Sequence, residues 1–182
     1  TAQPTAPRHS LSAQEVYGSD IYFTGAWVLH TLRYLIGEEG VREALRLMAY
    51  PTEEAAWATD GSQVRFASTA DVVATFNAVS GQDLDWLFEA YLREAELPTL
   101  RAVLAGTSAS DALTLTLRWE TPGGQFPMPV DVEVDGKLQR VSFEGTTARI
   151  PVPTGAKVRV DPENWILRHP YGDPLRRDTW DE

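Results

Sequence analysis

The chain has three histidines, His9, His30 and His169. None of them has a His or Glu at the i+4 spacing that sets two ligands on one helical face, and there is no His-Glu-x-x-His run. A complete metal site within these 182 residues is therefore not expected. The chain also lacks cysteine, which removes thiolate ligands, disulfides and a cysteine nucleophile but leaves the redox compartment open. No Gly-x-Ser-x-Gly elbow is present. Gly123-Gly124 falls between strand-like stretches, so it reads as a turn and not as a phosphate cradle. The paired carboxylates Asp83/Asp85 and Glu38/Glu39 stand where helices begin, and the helix dipole favours acids there. Capping explains them better than acid–base catalysis.

The run Val16-Tyr17-Gly18-Ser19-Asp20-Ile21-Tyr22-Phe23-Thr24-Gly25-Ala26-Trp27-Val28-Leu29-His30-Thr31-Leu32-Arg33 carries more information. It resembles the Y-x-K-G-A-x-V-L-H-x-L-R block of M1 zinc aminopeptidases, the group of aminopeptidase N and leukotriene A4 hydrolase. Further blocks follow in order. Ser68-Thr69-Ala70-Asp71-Val72 is similar to a helix start in that family, and Ser80 to Phe88 to its S-G-x-D-L-D-W-F-F segment. Glu96-Leu97-Pro98 stands where its helices hand over to a β domain, and Asp161-Pro162-Glu163-Asn164-Trp165 resembles its closing D-P-x-x-W strand. The resemblance covers most of residues 10–168.

Carried over by position, the resemblance makes Tyr22 the catalytic tyrosine. Its neutral phenol would donate a hydrogen bond to the oxyanion formed at the scissile carbonyl. Without the resemblance, a tyrosine opening an apolar helix is ordinarily a core residue with its hydroxyl satisfied nearby. Tyr17 falls where some members place a second active-site aromatic, a substrate-binding position, although packing suits it as well. Gly25 would allow a close helix approach, and His30 reads as a packing or hydrogen-bonding histidine. Thr24 departs from the family, which usually has Lys or Arg there. In the family the zinc ligands and the glutamate general base precede the tyrosine, and nothing before Tyr22 supplies them here. The resemblance thus implies the C-terminal portion of a zinc-dependent enzyme that cleaves N-terminal residues from peptides. The zinc would belong to the parent enzyme and its missing N-terminal catalytic half. This portion would bind no metal and be inactive by itself. The competing reading is a non-enzymatic module of helices and β-sandwich that binds a protein or peptide.

The elements that would carry these residues are written in two periods. After an irregular lead-in over residues 1–20, a strongly apolar helix runs from Tyr22 towards Leu35, with Trp27, Val28, Leu29 and Leu32 on more than one face. Such a helix is expected to be buried nearly all round. Gly37 ends it, and Glu38-Glu39 open a second with Val41, Leu45 and Met48 on one stripe, closed by Pro51. Residues 52–66 carry no clear pattern. Ser68 and Asp71 have capping-box spacing before a third helix, which Gly81 closes. Asp83 is placed to cap a fourth, bearing Leu84, Leu87, Phe88, Tyr91 and Leu92. Beyond Leu100 the period becomes two: Leu113–Trp119 alternates, and so does Met128–Val134, with its acids expected to face water. Asp135-Gly136 is a hairpin signal leading into Lys137–Phe143. Short strands are expected at 147–152, 156–160 and around Trp165–Arg168. The expected class is α+β: about four helices over 21–99, which the resemblance makes the tail of a thermolysin-like catalytic domain. A small antiparallel β-sandwich follows over 100–170, then a loose tail at 171–182.

The hydrophobic fraction of 43% and aromatic fraction of 10% suit a folded domain. A net charge of −10 argues against nucleic-acid binding, which needs cations to displace counterions. No apolar run approaches the ~20 residues of a membrane span. The start at Thr1 has no leader pattern and fits a truncated chain; cytoplasm and periplasm both suit the composition.

Overall fold

The computed structural model describes residues 4–9, 12, 14, 17, 18, 20–106 and 112–169. The tail expected at 171–182 and part of the lead-in lie outside the described residues. There are two compact units, Thr5–Arg93 and Glu94–Glu182 with Thr1–Pro4. The architecture is α+β, a helical part and two small antiparallel sheets.

In the helical unit, α1 (Asp20–Ala49) contains a break at Gly37, with φ 78° and ψ 167°. That backbone is almost closed to side-chain-bearing residues, so glycine splits one helical run into two rods, as the sequence predicts. Val28, Thr31, Leu32 and Tyr34 are buried before the kink, and Val41 and Ala44 after it. The helix packs on α3 (Thr69–Ser80). The first rod is not buried all round as expected: Tyr22, Phe23 and Trp27 are 60%, 70% and 42% exposed. Leu45 also faces out, and the smaller Ala44 takes the buried position beside it. Past the kink, Glu38, Glu39 and Glu43 pair with Arg33, Arg42 and Arg46 at 2.7–3.2 Å. These exposed pairs keep the face solvated more than they stabilise it.

The stretch without a pattern contains a single helical turn, α2 (Glu53–Trp57), capped by the Thr52 hydroxyl. Helix α3 begins on the expected capping box. Ser68 Oγ accepts the Asp71 N–H at 3.2 Å, and the Asp71 carboxylate accepts the Ser68 N–H at 2.7 Å. Gly81, with φ 65°, closes the helix by donating its N–H to the Asn77 carbonyl at 2.9 Å. Ser68→Ala should cost about 1 kcal/mol in urea unfolding. The Ser68 backbone N–H, then its hydroxyl, hold the Asp71 carboxyl below its ordinary range. A depressed carboxyl stabilises the fold above the unfolded value, and that contribution is lost as pH falls through the folded value. Unfolding midpoints of wild type and Ser68→Ala should therefore converge in acid. A gap that stays constant from pH 7 down to pH 2 contradicts the box.

Asp83 does not cap the next helix directly. Helix α4 (Asp85–Phe88) has Leu84 at its cap position, while Asp83 Oδ1 accepts the Asp85 N–H at 3.0 Å in a tight side-chain turn. The short aspartate reaches the amide two residues on, so the helix starts later than the spacing implied. Asn77 anchors the corner, accepting the Leu84 N–H and donating to Asp85. Helix α4 continues into a π-helical turn at Glu89–Arg93. Leu84, Leu87, Phe88 and Tyr91 are all buried, and Phe88 meets Phe76 edge-on at 5.7 Å. Part of the lead-in is tied here: Ala6 donates to the Leu92 carbonyl, Arg93 bonds the Ala6 carbonyl, and Arg8 pairs with Glu89 at 2.6 Å.

The β unit holds strands β1 (Thr99–Ala105), β2 (Ala112–Glu120), β3 (Val130–Val134), β4 (Lys137–Val141), β5 (Thr147–Pro153) and β6 (Val158–Val160). One antiparallel sheet has the order β1-β2-β5 and the other β4-β3-β6. The alternation read in β2 buries Leu115, Leu117 and Trp119. Register sets Trp119 opposite Leu100, and Leu117 between Ala102 and Ala148. Trp119 lies edge-on to Phe126 at 5.0 Å and donates its indole N–H to the Met128 carbonyl at 2.9 Å. That bond satisfies the one polar atom the ring carries inside. Asp135 and Gly136 turn the β3–β4 hairpin, both at positive φ (47° and 77°), the geometry two-residue hairpins require.

Three expectations change in this unit. The acids of β3 do not face water: Asp131 is 8% exposed, and Asp131 and Glu133 pair with Arg140 and Arg159 directly across neighbouring strands. Opposite charges at facing positions attract each other across the sheet, while the Arg140 side chain keeps about half its surface in water. Strand β1 lies in a stretch not read as a strand. Residues Trp165–Arg168 form no strand, because the N–H groups of Trp165 and Ile166 are taken by the buried Asp161 carboxylate at 2.8 and 3.3 Å.

Candidate active site

Tyr22 stands in the first turn of α1, on a face turned away from buried Val28 and Leu32. Its ring is 60% exposed and is not enclosed by a core. Tyr17, five residues earlier and 67% exposed, meets it edge-on, with ring centres 6.1 Å apart and planes at 90°. The two hydroxyl oxygens are 2.5 Å apart. The Tyr17 hydroxyl, and secondarily desolvation, hold the Tyr22 phenol above its ordinary value. A phenol is protonated at neutral pH, so Tyr22 can donate a hydrogen bond there.

The two tyrosines singled out by sequence are thus brought together. Other positions of the motif behave differently. A Cβ at Gly25 would meet nothing within 4 Å among the described residues, so the close approach expected there is not made within this unit. His30 packs edge-on to Trp27 at 5.4 Å. Phe23 extends the exposed surface beside Tyr22, and so does Trp27, one of the apolar residues of a helix expected to be buried nearly all round. Their i,i+4 spacing, which sets the two on one helix face, was the available signal. A groove of about 430 Å³ in the same unit, lined by Arg8, Asn77, Asp85, Phe88, Glu89 and Arg93 among others, includes neither tyrosine.

Among the described residues no group of three or more His, Asp or Glu side chains could hold a metal ion. The described residues therefore do not fit a zinc site. No helix among them is long and apolar enough to cross a membrane.

The fold has a counterpart among solved structures. The crystal structure of Legionella pneumophila aminopeptidase A in complex with aspartic acid matches 94% of this chain with a TM-score of 0.61 at 17% identity. The likeness is one of fold. The chain spans about 20% of that protein's length. No family model and no curated protein matches the chain.

Proposed function

We propose that this chain is the C-terminal portion of an M1-type zinc aminopeptidase, contributing Tyr22 to hydrolysis of N-terminal peptide bonds. The observation that carries this reading is Tyr22 itself: a solvent-facing phenol at the first turn of a helix otherwise anchored in a core. The motif around it and the fold shared with an aminopeptidase support the same reading. Helices of residues 21–99 would complete the peptidase domain, and the sheets of 100–170 would form the β domain that follows it.

Within this chain, α1 sets the phenol in place and leaves its hydroxyl accessible to a peptide. As negative charge develops on the scissile carbonyl oxygen, the Tyr22 O–H donates to it, a bond stronger in the transition state than in the ground state. Zinc and the general base would be held by residues outside this chain, in the part of the enzyme that the resemblance places before Tyr22. The open surface of Tyr22, Phe23, Gly25 and Trp27 would meet that other part of the enzyme and the substrate.

The test compares the 182-residue chain with the longer protein in which this proposal places it. The longer protein should hydrolyse aminoacyl anilides, lose activity to a chelator and regain it with zinc. The isolated chain should take up no stoichiometric zinc and show no turnover. Tight one-to-one zinc binding by the isolated chain, or a zinc-loaded longer protein inert on every aminoacyl anilide, overturns the proposal.

A further inference from the structure

We propose that Tyr17 is a positioning residue for Tyr22: its hydroxyl donates to the Tyr22 oxygen and so turns the Tyr22 proton towards the substrate carbonyl. This inference rests on the catalytic reading of Tyr22 given above.

Two hydroxyl oxygens 2.5 Å apart have room for one proton between them. Each group is both donor and acceptor, so the shared proton can come from either ring. If Tyr22 supplies it, its only donor is spent on Tyr17 and none is left for an oxyanion. If Tyr17 supplies it, the Tyr22 proton points elsewhere while the Tyr22 oxygen stays held. Passing from one arrangement to the other requires only that two O–H bonds rotate about their C–O axes. No heavy atom moves, and no covalent bond forms or breaks.

In the free protein, the hold of Tyr17 on the Tyr22 proton accounts for a phenol raised above its ordinary value. Once a carbonyl oxygen gathers negative charge beside Tyr22, it outcompetes the neutral phenol for that proton, because bonds to charged acceptors are about twice as strong. The pair then reverses, and Tyr17 donates to Tyr22. A hydroxyl that accepts a hydrogen bond is polarised into a better donor, by roughly 10–30% per bond. The edge-on rings at 90° keep the two oxygens facing each other, and the five-residue spacing brings Tyr17 back over the start of α1. A substrate-contacting wall makes a different demand on Tyr17, since a wall needs the ring and a positioning residue needs the oxygen.

The experiment is a double-mutant cycle in the longer, zinc-loaded enzyme: wild type, Tyr17→Phe, Tyr22→Phe and the double variant, each assayed for kcat and KM. Phenylalanine keeps the ring and removes only the hydroxyl. Tyr17→Phe should lower kcat by about two- to eightfold, the share of a 10²–10³ oxyanion effect that a 10–30% strengthening represents, with KM nearly unchanged. In the Tyr22→Phe background the same change should do nothing further, because its effect passes through the missing hydroxyl. An unchanged kcat in Tyr17→Phe, or an equal loss in both backgrounds, overturns the positioning role. The Tyr22→Phe arm alone reports on the catalytic role of Tyr22, so failure of that reading is told apart from failure of this one. Tyr17→Ala should raise KM no more than Tyr17→Phe; a large rise only in the alanine variant assigns Tyr17 to the substrate wall and overturns the inference.

Discussion

In the aminopeptidase proposed to contain this chain, Tyr22→Phe is expected to lower kcat by about 10²–10³, or roughly 3–4 kcal/mol, with a much smaller change in KM. The size follows from the role proposed for the hydroxyl. A hydroxyl held beside the reacting carbonyl forms a bond that strengthens as charge develops on the oxygen. The pattern, a fall in kcat without a matching rise in KM, separates a transition-state contact from substrate binding. Since Tyr22 is 60% exposed, loss of its hydroxyl should leave the fold intact, and the unfolding midpoint serves as the control. Kinetics within threefold of wild type remove the proposed role.

Asp161→Ala should destabilise the β unit by about 3–5 kcal/mol, measured by urea unfolding of the whole chain. Asp161 and Arg168 form an ion pair in which each side chain is only 1% exposed. The carboxylate also receives the N–H groups of Trp165 and Ile166, fixing the path of the chain after β6. Burial pushes this carboxyl up, while Arg168 and the two amides pull it back down. Alanine would leave the guanidinium buried without that carboxylate and free the two amides. It would also be strained at φ 48°, a conformation aspartate tolerates better than alanine. The double variant Asp161→Ala/Arg168→Met should recover part of the loss, because removing both charges avoids a buried one without its counter-ion. If the double variant is less stable than Asp161→Ala alone, ion pairing is not the source of the effect.

The features legible in the sequence are those set by near neighbours. The capping box at Ser68 and Asp71, the kink at Gly37 and the hairpin at Asp135-Gly136 each depend on a few adjacent residues. The alternation in β2 was equally readable, since every second side chain must face one side of a strand. What escaped depends on distant partners. Phe23 and Trp27 look like core residues by type, and only tertiary structure shows them uncovered. Trp165–Ile166 looked like a strand because its side chains are apolar, but its amides belong to Asp161. Ala102 and Ala105 are weak strand formers, so β1 carried little signal, although its register on β2 is complete. At the candidate site the motif pointed to Tyr22 and Tyr17 separately. A spacing of five says nothing about two oxygens meeting at 2.5 Å.

The break at Gly37 makes α1 a pivot with a long arm. Tyr22 stands fifteen positions before it, about 22 Å at 1.5 Å per residue, so a swing of about 10° there would carry the phenol about 4 Å. Accuracy at the tip is therefore secured along the shaft, where Val28, Thr31 and Leu32 are sunk in the core, and a loosened joint or a trimmed side chain there would throw the distant hydroxyl out of aim.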